Sequence, residues 1–276
     1  MSSSSLPPIL DLEIPDLAMT AWREVLGHAW ARSREITDQR LNIREINEDW
    51  QRLHNFEYQH FYSAWVGVAF RFQACAIHNQ DFTEVFRRTG GTSQDMDLLY
   101  KEDDAFFGFF VKGLSALESF YYCLYALGAL LYAPTVPPSD QFPLLDPAHP
   151  GGLRRITPAN THLRYTLVFP TLPITELLGR VQGDDTYQNW YYIRNVLAHR
   201  AATVGRTIQY PGPFWSQSGE PLSVRQWASD LLFDATTTAS RYDWLRETIN
   251  SGLEETAVFT VQQLVYTEDQ LRQLAW

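Results

Sequence analysis

"SFYYCLYALGALLYA", Ser119 to Ala133, is the most apolar run of the chain, and its reading decides the fold class. Such a run fits either a bilayer or a protein core. A membrane-spanning helix needs about 20 apolar residues, whereas this run is preceded by Lys112 and Glu118 and stopped by Pro134. It therefore reads as a buried core helix of a soluble protein. The same pattern extends back to Met96, which predicts one long helix over about Met96–Tyr132. Immediately downstream, "APTVPPSDQFPLLDPAHPGG" carries too much proline and glycine to sustain a helix. The stretch from Pro134 to about Pro173 reads as a long connection with one short strand at "RYTLVF". A connection of that length in a compact domain is often functional.

Upstream, Leu17, Trp22, Leu26 and Trp30 form a helical stripe that predicts a helix over about Pro15–Ile36. Ile46, Trp50, Leu53, Phe61, Trp65 and Val68 predict a second over about Ile43–Ile77. "RRTGGTSQD" then breaks the pattern, and Ser93 or Asp95 is placed to cap the next helix. Beyond Pro173, "ITELLGRV" reads as a short helix and "GDDTYQNW" as the start of another, with Asp184 or Asp185 as its cap. Ser223 is placed to cap a last long helix ending near Asn250. The tail from Glu255 reads as a strand-like run followed by a short terminal helix. The expected fold is thus all-α, a helical bundle with a few short strands and a long central loop.

The 276 residues are 45% hydrophobic and 14% aromatic, which supplies a substantial core. A net charge of −10 rules out coating nucleic acid by bulk electrostatics and leaves only a local basic patch for that purpose. Cys75 and Cys123 are too few and too far apart for a disulfide framework or a metal knuckle, so they read as buried thiols in a reducing compartment. "MSSSSLPPILDLEIPDL" lacks the basic and apolar regions of a signal peptide. Residues 1–14 are expected to be a loose arm and residues 15–276 a single helical domain, cytoplasmic and away from membranes.

The chemistry-bearing stretch is "NWYYIRNVLAHRAATVGR", Asn189 to Arg206. At roughly 100° per residue, Asn195 and His199 fall about 40° apart on one helix face, with Arg194 about 140° from His199. The long Arg194 stem can carry its guanidinium around the helix shoulder. Histidine moves protons near neutral pH, arginine offers a planar fork matched to phosphate oxygens, and asparagine can orient either. Together they suit attack of a ribose 2′-hydroxyl on the adjacent phosphodiester without a metal. The residues also fit a blander reading, with Arg194 and Arg200 as solvated flanks and His199 bonded to a helix carbonyl.

"RNVLAHR" resembles the signature of the HEPN superfamily, an Arg, often a polar residue directly after it, and a His separated from the Arg by four to six residues. Arg194, Asn195 and His199 match these three positions. The resemblance implies a mostly helical bundle, with the HEPN-like core over about residues 96–250 and extra N-terminal helices. It also implies a homodimer in which two motifs meet, and a metal-independent endoribonuclease serving as a toxin, in phage defence or in RNA processing. RNA would be the substrate, and a nucleotidyltransferase-like antitoxin a candidate protein partner. No cofactor and no metal are implied. Some HEPN members are non-catalytic dimerisation or partner-binding modules, which is the alternative.

Glu118 stands alone in an apolar helix, and a buried carboxylate is costly unless paired. It resembles the acidic residue that HEPN enzymes often place on a facing helix, pairing with Arg194 or His199; the other reading is partial exposure or a pair with Lys112. Arg200 and Tyr191 are further supporting candidates, and Tyr191 and Tyr192 are placed to line a substrate groove. His54, Glu57 and His60 span about 120° of helix arc, broad for one metal centre, and read as an exposed polar face. Glu102 to Asp104 read as a charge cluster complementing the helix dipole.

Overall fold

Apolar residues spaced at three- and four-residue steps along this chain turn inward on long helices. A computed structural model describes residues 12–41, 56–90, 95–132, 141–145, 150–199 and 234–264. They form α1 (Met19–Leu41), α2 (Phe56–Thr89), α3 (Met96–Leu131), α4 (Pro158–Val168), α5 (Pro173–Gly183), α6 (Asp185–His199) and α7 (Ala235–Gln263), with a 3-10 turn at Pro150–Arg155. The fold is all-α, and no strand occurs among the described residues.

Both stretches predicted as strands are helical. "RYTLVF" lies largely in α4, which starts at Pro158 with Thr157 as its cap; the Thr157 side chain accepts from the Asn160 amide at 3.3 Å. Thr161 and Tyr165, one turn apart, are both fully buried. Their hydroxyls donate to the Tyr121 and Leu124 carbonyls at 3.1 and 2.8 Å, so tertiary bonds outweigh β propensity. The run after Glu255 belongs to α7, where Thr256 and Thr260 donate back to the Gly252 and Thr256 carbonyls, both at 2.6 Å. A threonine hydroxyl that bonds back one turn is at home in a helix despite its branching. The long connection is correspondingly shorter than expected, because the 3-10 turn and α4 occupy much of it. Ser223 and the segment between α6 and α7 lie outside the described residues, and Asp234 caps α7, accepting from the Thr237 amide at 2.6 Å.

Length does not exclude a bilayer for α3, contrary to expectation. At 1.5 Å per residue the helix is roughly 54 Å long, and with a mean hydropathy of 1.3 its most apolar window is long and apolar enough to cross a membrane. Its surroundings mark it as a core helix: 78% of that window is buried within the protein.

The chain packs as two compact units. The first comprises Met1–Ala69, Leu117–Gly183 and Thr248–Trp276, the second Phe70–Ala116 and Asp184–Glu247, so that α2, α3 and α7 contribute to both. In the first unit Trp22 and Trp65, both fully buried, stack with ring centres 6.3 Å apart. Each indole N–H donates to the other residue's carbonyl, at 3.3 and 3.1 Å, satisfying the polar atom that burying a tryptophan would otherwise strand. Asn250 of α7 accepts from the Ala18 amide and donates to the Asp16 carbonyl, each at 2.8 Å, which fastens the start of α1. In α5, Ile174, Leu177, Leu178 and Val181 are buried at the spacing of one helix face.

The second unit is built around α6. Trp190 is fully buried, stacks on Phe109 (5.1 Å), meets Phe110 edge-on (5.6 Å) and leans on Trp244 (6.0 Å). Its indole N–H donates to the Phe110 carbonyl at 2.9 Å. Gly113 makes the approach possible, since a Cβ there would sit 2.2 Å from the indole Cζ2. Thr89, at the end of α2, donates to the buried Glu102 carboxylate of α3 at 2.7 Å. Glu102 is thus no exposed dipole charge as the sequence suggested, and only Asp104 of the run is exposed. Cys75 lies in this unit and Cys123 in the first. Both are buried free thiols whose pKa burial pushes well above the usual range.

Candidate functional site

The candidate residues ride on α6, which Asp184 opens. Its carboxylate accepts from the Thr186 amide at 2.7 Å and also from the Thr186 hydroxyl, the Tyr187 amide and the Trp244 indole. Partial burial works to raise the Asp184 pKa, but these four donors outweigh it and hold the carboxyl below its ordinary value. A group with a depressed folded pKa stabilises above its unfolded pKa and loses that contribution as pH falls through the folded one. Asp184→Ala is therefore expected to cost about 1 kcal/mol at neutral pH. In urea titrations the gap from the parent protein should close only below the usual aspartate range; a gap independent of pH would contradict the capping role.

Beyond the cap, Tyr187, Trp190, Ile193 and Leu197 are buried along one side of α6. That stripe fixes the helix rotation and leaves Tyr191 and Tyr192 outside, 46% and 49% exposed. Arg194 and Asn195 are half-buried at the edge between the two faces. Arg194 Nη1 donates to Asn195 Oδ1 at 3.0 Å, and the guanidinium carbon lies 6.0 Å from the centre of the Tyr191 ring. A guanidinium only donates, so the amide oxygen must face it and the two Asn195 N–H donors point away. The Tyr191 ring adds a contact worth roughly 0.5–1 kcal/mol at an exposed site. Arg194 is thereby held, partly exposed, beside Tyr191 and Asn195.

The structure thus brings Tyr191, Arg194 and Asn195 together. α6 ends at His199, whose side chain, like Arg200 as a whole, lies outside the described residues. Glu118 is half-buried in the part of α3 that belongs to the first unit, whereas Tyr191, Arg194 and Asn195 belong to the second.

His54, Glu57 and His60 do not form the exposed polar face expected of them. His54 lies outside the described residues, Glu57 is only 2% exposed and His60 is half-buried. The Tyr122 hydroxyl is 2.8 Å from His60 Nδ1. Burial lowers the His60 pKa, with Glu57 pulling the other way, and burial pushes Tyr122 up to about 12. At neutral pH the imidazole is therefore neutral, and the tautomer it holds sets which partner donates in this bond. Among the described residues no three His, Cys, Asp or Glu side chains are grouped to hold a metal ion.

Two partnerships were beyond sequence reasoning. Asp184 with Trp244 and His60 with Tyr122 join residues some 60 positions apart, and no local spacing announces such pairs. Comparison with family models, with curated proteins and with solved structures finds no match to this chain.

Proposed function

We propose that the chain is a metal-independent endoribonuclease of HEPN type that works as a homodimer in the cytoplasm, in a toxin, phage-defence or RNA-processing role. The observation that carries this reading is the Arg194 guanidinium, bonded to Asn195 and resting over Tyr191, at the half-buried edge of the helix that ends at His199. His199 takes the proton of a ribose 2′-hydroxyl as its oxygen attacks the neighbouring phosphorus, and returns a proton to the departing 5′-oxygen. Arg194 offsets the charge that grows on the non-bridging oxygens. Asn195 orients, and Tyr191 borders the path of the strand. A nucleotidyltransferase-like antitoxin or another regulatory protein would restrain the activity.

The second reading is a non-catalytic HEPN-like module that dimerises or binds a protein partner. The net charge of −10, which repels a polyanion overall, favours it. Incubating full-length protein with RNA in excess chelator separates the two. The nuclease reading requires cleavage to products with 2′,3′-cyclic phosphate ends. Intact RNA after prolonged incubation would leave the binding module.

A further inference from the structure

A cavity of about 950 Å³ opens in the first unit between the start of α1 and the end of α7. Its lining includes the small side chains of Ala18, Ala21 and Ala257, which let another backbone come close. Val258 and Val261 flank it and are 50% and 40% exposed. Together with Glu254 they mark a strip along about two turns of α7. The rim has a definite sign: Arg23 is ion-paired with Glu13, while Glu24 and Glu254 present exposed carboxylates.

These features select the occupant. An apolar patch of about one turn on α7, Val258 and Val261, floored by alanines and flanked by the start of α1, suits one helix presenting apolar residues at i and i+3 or i+4. The carboxylates at the rim repel anionic lipid and nucleic acid, and a second copy meeting this groove about a two-fold axis would set the same acidic rim against it. We infer that this groove docks an amphipathic helix of a partner protein that carries Lys or Arg beside its apolar stripe. The inference is independent of the ribonuclease reading, because every lining residue belongs to the first unit and the α6 residues to the second.

The test titrates full-length protein with a fluorescent 15-residue helical probe, leucines on one face and lysines flanking them, followed by anisotropy. Saturable binding that weakens with added salt is expected. Val258→Asp with Val261→Asp should weaken it at least about ten-fold, and so should Glu24→Lys with Glu254→Lys. The lysine variant should instead gain affinity for a probe with glutamates in place of lysines, a reversal that mere loss of structure cannot produce. All four positions are exposed, so circular dichroism and Tm should stay near the parent values. The inference is overturned by absence of saturable binding, by unchanged affinity of the aspartate variant, or by equal binding of both probes to the parent protein. Self-association that the aspartate pair abolishes would overturn it too, by assigning the groove to a second copy.

Discussion

Trp190→Ala should destabilise the second unit by about 3–5 kcal/mol, the range for emptying a fully buried aromatic site. Three rings line the space it would vacate, Phe109, Phe110 and Trp244, and none can close it without abandoning other contacts. The lost indole also gave a hydrogen bond to the Phe110 carbonyl. Two further variants sharpen the test. Gly113→Ala attacks the same contact from the other side, since a rigid indole 2.2 Å away must move to admit a methyl group; it should cost about 1–3 kcal/mol. Tyr192→Ala, on the exposed side of α6, should stay within about 0.5 kcal/mol of the parent. Urea unfolding followed by far-ultraviolet circular dichroism reads all three, and a Trp190→Ala protein as stable as Tyr192→Ala would refute this account of the unit's core.

His199→Ala is expected to slow RNA cleavage by roughly 10²–10⁴-fold, the usual contribution of one positioned acid–base group. The helical signal and Tm should hardly change, because the anchoring of α6 resides in Trp190, Ile193 and Leu197. Arg194→Ala should cost a comparable factor. Arg194→Lys is the more searching variant: an ammonium keeps the charge but has no planar fork with which to grip Asn195 and two phosphate oxygens at once. It should recover only a small part of the loss, chiefly in KM. Undiminished cleavage by His199→Ala in chelator would remove the nuclease mechanism. A rate restored in full by lysine would reduce the role of Arg194 to bulk charge.

How far the sequence reached depended on whether the deciding contact was local. Helical repeats of apolar residues were sufficient to find α3 to within one residue and to find α5 and α6, because α5 and α6 each bury one side at regular spacing and α3 carries a long apolar run that is buried nearly all round. Tyr165 and Thr256 were misread, since β-branched and aromatic neighbours imitate a strand unless one knows which distant carbonyls their hydroxyls will meet. The burial of Glu102 was missed for the same reason: a carboxylate goes inside when a partner from another helix receives it, as Thr89 receives Glu102. At the candidate site, the adjacency of Arg194 and Asn195 was readable, while the expected swing of the arginine stem toward His199 falls on a side chain outside the described residues. The stacking of that guanidinium on Tyr191 was not anticipated, although two adjacent tyrosines before an arginine on a helix could have signalled it.

The two sulfhydryls provide a built-in clock. Each unit encloses one, with Cys123 Sγ donating to the Phe120 carbonyl at 2.9 Å and Cys75 Sγ to the Phe109 carbonyl at 3.5 Å. A thiol so placed stays protonated and inert, so an alkylating reagent can reach it only when the surrounding helices part. Mass spectrometry of the two tagged peptides would then time the opening of each half of the molecule separately, within one unmutated chain.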